Sequence, residues 1–475
     1  VTADETIEWA GLRACFGGRL LTEPQDMAPF LTDWRGRWTG RAAAVAQPET
    51  TADVAAIMAW CHAARVPVVT QGGNTSLSGG SVPDGGGKAL LVSLTRLNRI
   101  RAVDPANNTM VVEAGCTLHR AQQAAADASR LFPLSLAAEG TCTIGGNLAT
   151  NAGGVHVLRY GTARELCLGL EVVMPSGEVW DGLRGLRKDN TGYHLRDLFI
   201  GSEGTLGIIT AAVLRLYPRP SERTVAFVAL ASPQAALRLL GRVQGRCGAA
   251  LTAFELMNAI SLDLVLRHSP GARRPLRETS PWYGLIEMSR WGDEEDSNAP
   301  LPALLGQAIA EGIVSDAAIS ASSAQAASLW LLRESASDAQ AREGGSIKHD
   351  IALPLSRVPA FLEAAEAALE KSFPLLRLVV WGHLGDGNLH TNLSPPADRC
   401  GPEHASWFYE QEPAVNILVH DLAVQYGGSI SAEHGLGVLR RDEAARYKSP
   451  VERRLMRTLK DAFDPLGIMN PGKLL

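Results

Sequence analysis

The sequence predicts an α+β chain of more than one domain, and three observations lead there. The chain has 475 residues, more than one ordinary core accommodates. Short β-branched runs bounded by Gly or Pro recur throughout, and after position 219 they alternate with Ala/Leu-rich helical stretches. Its 46% apolar and 20% charged residues are those of a globular protein.

The elements follow in order. Thr50 or Thr51 can cap a helix over "TTADVAAIMAWCHAARV", where apolar residues recur at helical spacing. "VPVVT" is a buried strand that runs into a glycine patch. Further strands are expected at "ALLVSL" and "TMVVEAG", and a helix at "TLHRAQQAAADAS". "CLGLEVVMPSGEVWDG" reads as a hairpin turning at Pro175-Ser176-Gly177, and "LGIITAAVLRLYP" as a strand. "YPRPSER" at 217–223 is the first domain boundary. Beyond it come "TVAFVAL", "PQAALRLLGRVQGRC" and "LTAFELMN", as strand, helix and strand. "WGDEEDSNAP" at 291–300 is an acidic surface loop, and "AAISASSAQAASLWLLRESASDAQAREG" one long helical stretch.

Several classes are excluded. A net charge of −5 leaves no nucleic-acid footprint. No apolar run reaches the roughly 18 residues of a membrane span. The opening "VTADETIEWA" has no secretory or transit character, and seven cysteines without a CxxC pair suit reduced thiols, so a cytoplasmic location is expected.

Glycine clusters in three places: "TQGGNTSLSGGSVPDGGG" (70–87), "EGTCTIGGNLATNAGG" (139–154) and "GSEGTLG" (201–207). A glycine patch after a strand lets backbone approach a ligand, and its open N–H groups make an anion nest. Gly72 to Ser76 are read as a pyrophosphate cradle; a plain surface turn is the alternative. No Rossmann GxGxxG occurs, and "GIMNPGKL" lacks both the Ser/Thr and the helix of a P-loop. Patches spread this widely suit a long dinucleotide better than a short phosphate.

"GHLGDGNLH" (382–390) follows the apolar run "LRLVVW". Asp386-Gly387 as a two-residue turn would set His383 directly opposite His390, close enough to share a cation. Both rings could equally serve only a polar turn.

Seven segments then carry a resemblance: "QGGNTSLSGGSVP", "GTCTIGGNLATNAGG", "RYGTARELCLGLEVV", "RKDNTGYHLRDLFIGSEGTLGIIT", "GHLGDGNLH", "SAEHGLG" and "NPGK". In this order they resemble the FAD-dependent 2-hydroxyacid dehydrogenases of the vanillyl-alcohol oxidase and p-cresol methylhydroxylase (PCMH) superfamily. The D-2-hydroxyglutarate dehydrogenases are the nearest of these; D-lactate dehydrogenase and the glycolate oxidase flavin subunit are relatives. The resemblance implies a PCMH-type, two-subdomain FAD-binding module over 41–218, after an N-terminal segment, 1–40. It also implies a substrate domain with an antiparallel sheet covered by helices, 219–430, and a C-terminal segment, 431–475, that returns to the FAD module. FAD contacts are expected from Gln71, Gly72, Gly73, Asn74, Thr75, Ser76, Gly79 and Gly80 of the first patch. Gly140, Thr141, Gly145, Asn147, Asn151, Gly153, Tyr160 and Gly161 follow from the second, then Gly204, Ile208 and Asn470. Gln71 precedes the glycine pair where a covalent attachment residue would be His or Cys, so FAD is expected to be non-covalent.

Glu433 of "SAEHG" is the candidate third ligand: His383, His390 and Glu433 would form a divalent metal site, suited first to Zn²⁺ and also to Mn²⁺ or Co²⁺. The resemblance makes His434 the general base, and histidine chemistry fits that role. It also implies that Arg333, Ser337, Lys348 and Asn392 bind substrate, with Ser337 standing where the family has Thr. Arg333 and Ser337, four apart, would share one helix face. Two cations beyond the metal favour a dicarboxylate, D-2-hydroxyglutarate or D-malate, over D-lactate or glycolate. A non-redox FAD transferase of the alkyl-glycerone-phosphate synthase type is a further alternative. The expected partners are a small 2-hydroxy acid and an external electron acceptor such as electron-transfer flavoprotein; a homodimer is compatible with the sequence.

Overall fold

The computed structural model describes residues 9–291 and 300–475, so the start of the N-terminal segment and most of the acidic stretch 291–300 lie outside it. The chain divides into two compact units: 1–153, 162–219 and 433–475 form the first; 154–161 and 220–432 form the second. Among the described residues no helix is long and apolar enough to cross a membrane.

The first unit holds two sheets. In one, Val68–Gln71 and Ala44–Gln47 flank Leu90–Ser93 in parallel, and Arg19–Leu21 adds an antiparallel edge. Helix Thr51–Ala64 connects the parallel strands and starts with a capping box, Thr50 and Asp53 each serving the other's backbone N–H. The other sheet is antiparallel, in the order Ile100–Asp104, Thr109–Glu113, Ile208–Arg215, Cys167–Val173, Val179–Gly182. Val54, Ile57 and Met58 of the helix share a core with Val68, Leu90, Val173 and Ile208. The chain end returns to this core: Met469 bridges Val68, and Asn470 N–H donates to the Val68 carbonyl at 2.7 Å.

The second unit is built on a seven-stranded antiparallel sheet, ordered Asp316–Ile319, Glu222–Leu230, Trp282–Arg290, Leu251–Asn258, Arg377–His383, Asn388–Ser394, Asp350–Ala352. Both faces are covered. Ala226, Val228 and Leu230 face one core, while Val225, Phe227 and Ala229 face another, the period-2 alternation of a strand. The long helix expected before position 343 is instead the strand Asp316–Ile319 and two helices, Ser323–Glu334 and Ala336–Arg342, which meet at Ser335. Arg333 and Ser337 therefore stand on different helices rather than on one face of a single helix. Residues 316–319 extend because they pair with Ala226–Ala229 at the sheet edge, a partner that local propensity does not reveal.

Glu287 ties residues 154–161 to this sheet. Its carboxylate meets His156 Nε2 at 3.1 Å and accepts from Thr252 Oγ1 (2.8 Å) and Trp330 Nε1 (2.9 Å). Burial pushes this carboxyl up, but His156, Arg223 and Thr252 outweigh it and bring it down to about 2. A folded-state pKa below the ordinary 4.5 stabilises above that value, and the contribution is lost as pH falls from about 4.5 toward 2. Urea midpoints are thus expected to drop steeply between pH 5 and 3 in the parent and less steeply in Glu287→Gln. Parallel curves would refute this.

Candidate functional site

In the second unit, one face of the sheet becomes polar toward one edge. In "NLHTNLS", Leu389 and Leu393 turn into the apolar core, so Asn388, His390, Asn392 and Ser394 take the opposite face, all buried. Trp381, His383 and Glu255 occupy the same face by the same alternation. The hairpin register differs from the expected one. His383 pairs with Asn388 and Trp381 with His390, across a four-residue loop, Leu384–Gly387, in place of a two-residue turn. A shift of two residues preserves the face, so the two imidazoles are diagonal neighbours with ring centroids 6.0 Å apart.

Buried polar groups on this face are hydrogen-bonded. Glu255 Oε1 meets His383 Nδ1 at 2.8 Å, and Oε2 accepts from Arg333 Nε at 2.5 Å. Arg333 Nη2 lies 3.4 Å from His383 Nε2, and the guanidinium stacks 4.4 Å from the Trp381 ring. Burial pushes the Glu255 carboxyl up, and the positive charge of His383 and Arg333 more than reverses this, leaving it below the usual range. Nδ1 of His383 faces Glu255, which leaves Nε2 as the nitrogen turned toward Arg333. Asp350 pairs directly with His390 across neighbouring strands, with Oδ1 4.0 Å from Nδ1. Asp350 also accepts from Asn388 Nδ2 (2.8 Å) and from the Ala432 amide (3.1 Å).

Lys348 Nζ donates to Ser337 Oγ at 2.8 Å, so these two expected substrate ligands touch. Asn392 is engaged at both ends: Oδ1 accepts from His349 N–H (3.0 Å) and Nδ2 donates to Gln340 Oε1 (2.9 Å). Gln340 Oε1 also accepts from Trp381 Nε1, so a chain of contacts runs from Arg333 through Trp381, Gln340 and Asn392 to the amide of His349, the residue after Lys348.

Glu433 and His434 open the last segment of the first unit, with Glu433 directly following Ala432 in the chain. Glu433 Oε1 lies 3.7 Å from His434 Nε2. The His434 carbonyl accepts from Ser78 Oγ at 3.3 Å, and the amides of Leu436 and Gly437 both donate to Glu203.

The glycine patches of the first unit fit a dinucleotide. Gln71 Nε2 donates to the carbonyls of Phe30 and Ser81, and Asn74 Nδ2 to that of Thr32. These side chains hold the loop, while the amides of Gly73, Asn74, Thr75 and Ser76 donate to nothing among the described residues. Asn74 at φ +53° bends them into a nest for an anion. A Cβ on Gly73 would lie 1.9 Å from the Thr141 carbonyl, and one on Gly72 would lie 2.3 Å from Thr143 Oγ1, so the first two patches pack directly on each other. Thr143 caps the helix Ile144–Ala149, which carries Gly145 and Asn147. Gly140 and Thr141 lie in the turn before it; Asn151 Oδ1 accepts from Thr162 and Arg164 beyond it. Asn470 Nδ2 donates to the carbonyls of Gly80 and Glu203, tying the first and third patches to the chain end. Gly79 and Gly204 take positive φ, Gly153 ends this stretch of the unit, and Ile208 begins a buried strand. Tyr160 and Gly161 belong to the second unit.

Residues 42–182 match the model of an FAD binding domain, and residues 219–474 that of the FAD linked oxidases, C-terminal domain. The chain belongs to the FAD-linked oxidases. This flavoprotein is 40% identical to the D-2-hydroxyglutarate dehydrogenase of Xanthomonas citri pv. viticola, over 96% of this chain and 94% of that one. It is 39% identical to the mitochondrial D-2-hydroxyglutarate dehydrogenase of Bos taurus, over 98% and 83%. Among solved structures, p-cresol methylhydroxylase with substrate bound superposes at a TM-score of 0.76, covering 100% of this oxidase and 97% of that chain; at 16% identity the likeness speaks for the PCMH-type fold alone. The protein is an FAD-linked oxidoreductase.

The carboxylates Glu255, Asp350 and Glu203 of these networks escaped the reading of the sequence. Only Glu203, flanked by glycines in "GSEG", carried a local signal. The other two gain their meaning from strand pairing.

Proposed function

We propose that this oxidase converts D-2-hydroxyglutarate to 2-oxoglutarate, using non-covalent FAD and a divalent cation. The observation that supports it best is the buried strand face where a guanidinium, two imidazoles and two carboxylates converge, with a second cation, Lys348, immediately before His349, whose N–H donates to Asn392 of that face. The names of the relatives agree with this substrate.

FAD held by the glycine patches of the first unit would supply the hydride acceptor for oxidation at the substrate's C2. Arg333 and Lys348 take the two carboxylates, with Ser337 orienting Lys348 and Asn392 holding the strand. His434 takes the hydroxyl proton on its imidazole. His383, His390 and Glu433 are the proposed metal ligands, with Asp350 joining them beside His390; this nitrogen and carboxylate set suits Zn²⁺, Mn²⁺ or Co²⁺. Bound there, the cation would polarise the substrate hydroxyl. His383 is oriented as metal-binding histidines are, with Nδ1 on a carboxylate. Arg333 competes for its Nε2, which makes His390 and Asp350 the stronger half of the set. Electrons then leave to an external acceptor, of which electron-transfer flavoprotein is one.

The test is anaerobic mixing with D-2-hydroxyglutarate, D-malate, D-lactate and glycolate, following the visible flavin band with and without a chelator. D-2-hydroxyglutarate is expected to bleach it fastest, and the chelator to abolish the bleaching. Bleaching by lactate or glycolate alone would remove the dicarboxylate role of Lys348. Lys348→Ala should lower kcat/KM for D-2-hydroxyglutarate about 10- to 100-fold, the value of a charge-assisted hydrogen bond, and leave turnover of D-lactate within about twofold.

A further inference from the structure

Glu203 is a buried carboxylate that the reaction does not use directly. It sits in the third glycine patch with φ +51°, a left-handed backbone that a non-glycine residue seldom adopts. Both sides of this conformation are locked: Glu203 N–H donates to the Ala149 carbonyl at 2.8 Å, and its own carbonyl accepts from Asn470 Nδ2 at 2.7 Å. The result aims the side chain at the loop after His434. Oε1 accepts from the Leu436 amide and Oε2 from the Gly437 amide, each at 2.8 Å. The fit is close, since a Cβ on Gly435 would stand 2.9 Å from Oε1. The rest of the loop is fastened to backbone: Val438 N–H to the Ser78 carbonyl at 3.0 Å, and Leu474 N–H to the Gly437 carbonyl at 3.1 Å.

We infer that Glu203 is a positioning residue, a bidentate clamp on the amides of Leu436 and Gly437 that sets where the His434 imidazole stands. The inference rests on the reading of His434 as the base. A clamp of this kind acts on kcat: a displaced base still lets substrate bind, and an error of about 1 Å costs about 100-fold. Gln fills the same volume but offers one acceptor for two N–H donors.

The experiment compares Glu203→Gln, Glu203→Asp, Gly435→Ala and His434→Asn as purified holoenzymes. Flavin content, thermal midpoint, kcat and KM for D-2-hydroxyglutarate are measured for each. Glu203→Gln and Gly435→Ala should lose about 10- to 100-fold in kcat with KM within about threefold and FAD stoichiometric, and Glu203→Asp should recover part of the loss. Glu203→Gln with parental kcat and only a lowered thermal midpoint would overturn the clamp, as would activity lost in proportion to flavin. An inactive His434→Asn beside an active Glu203→Gln overturns the clamp alone. A fully active His434→Asn overturns the base and the clamp's purpose together.

Discussion

Replacing His434 with asparagine is expected to slow flavin reduction by D-2-hydroxyglutarate about 10²- to 10⁴-fold, the usual worth of a positioned general base. Asparagine keeps a polar side chain of similar reach and leaves the loop's fastening intact, because that fastening uses backbone: the His434 carbonyl on Ser78 and the next amides on Glu203. Flavin content and the thermal midpoint should therefore match the parent, and the loss should fall on the rate of bleaching. Rapid-mixing absorbance measures it directly, before any electron acceptor is involved. A variant that bleaches within threefold of the parent would dismiss His434 as the base.

The second large effect is expected at Arg333, where binding and stability are entangled. Arg333→Met removes one of the two cations that hold Glu255 ionised, with both side chains of the ion pair buried. Breaking a buried pair costs about 3–5 kcal/mol where the remaining charge is left alone, and since His383 Nδ1 still faces Glu255 the lower end of that range is expected. kcat/KM for D-2-hydroxyglutarate should fall at least about 100-fold, since a carboxylate of the substrate also loses its guanidinium. The double variant Arg333→Met/Glu255→Gln separates the two roles. Neutralising Glu255 should restore most of the lost stability in urea but none of the lost kcat/KM. Activity recovered together with stability would show that Arg333 serves the ion pair alone.

Much of the chain could be read locally. The capping box at Thr50 and Asp53, the strands entering the glycine patches and the hairpin at Pro175–Gly177 follow from short-range chemistry. So does the open run of amides at Gly73–Ser76, because glycine and asparagine tolerate the backbone that exposes them. The single long helix expected before position 343 differs from the structure for the opposite reason. Its Ala/Ser-rich sequence is helix-compatible throughout, yet residues 316–319 gain more by closing a sheet edge against a strand some ninety positions earlier.

The motif "GHLGDGNLH" shows where local chemistry stops. Alternation put His383 and His390 on one face because the loop keeps an even number of residues, four in place of two; a slip of one residue would have set them on opposite faces. The register was decided elsewhere. Gly385 N–H donates to the Phe254 carbonyl at 2.9 Å, and the Gly387 carbonyl accepts from Leu353 N–H at 3.0 Å. These neighbours in the sheet hold four residues in the loop instead of two. The same packing moved His390 opposite Trp381, set Asp350 beside it, and seated Arg333 and His383 on Glu255. Hydrogen bonds between residues 34 and 131 positions apart settle such a register, and the sequence immediately around the histidines does not contain their partners.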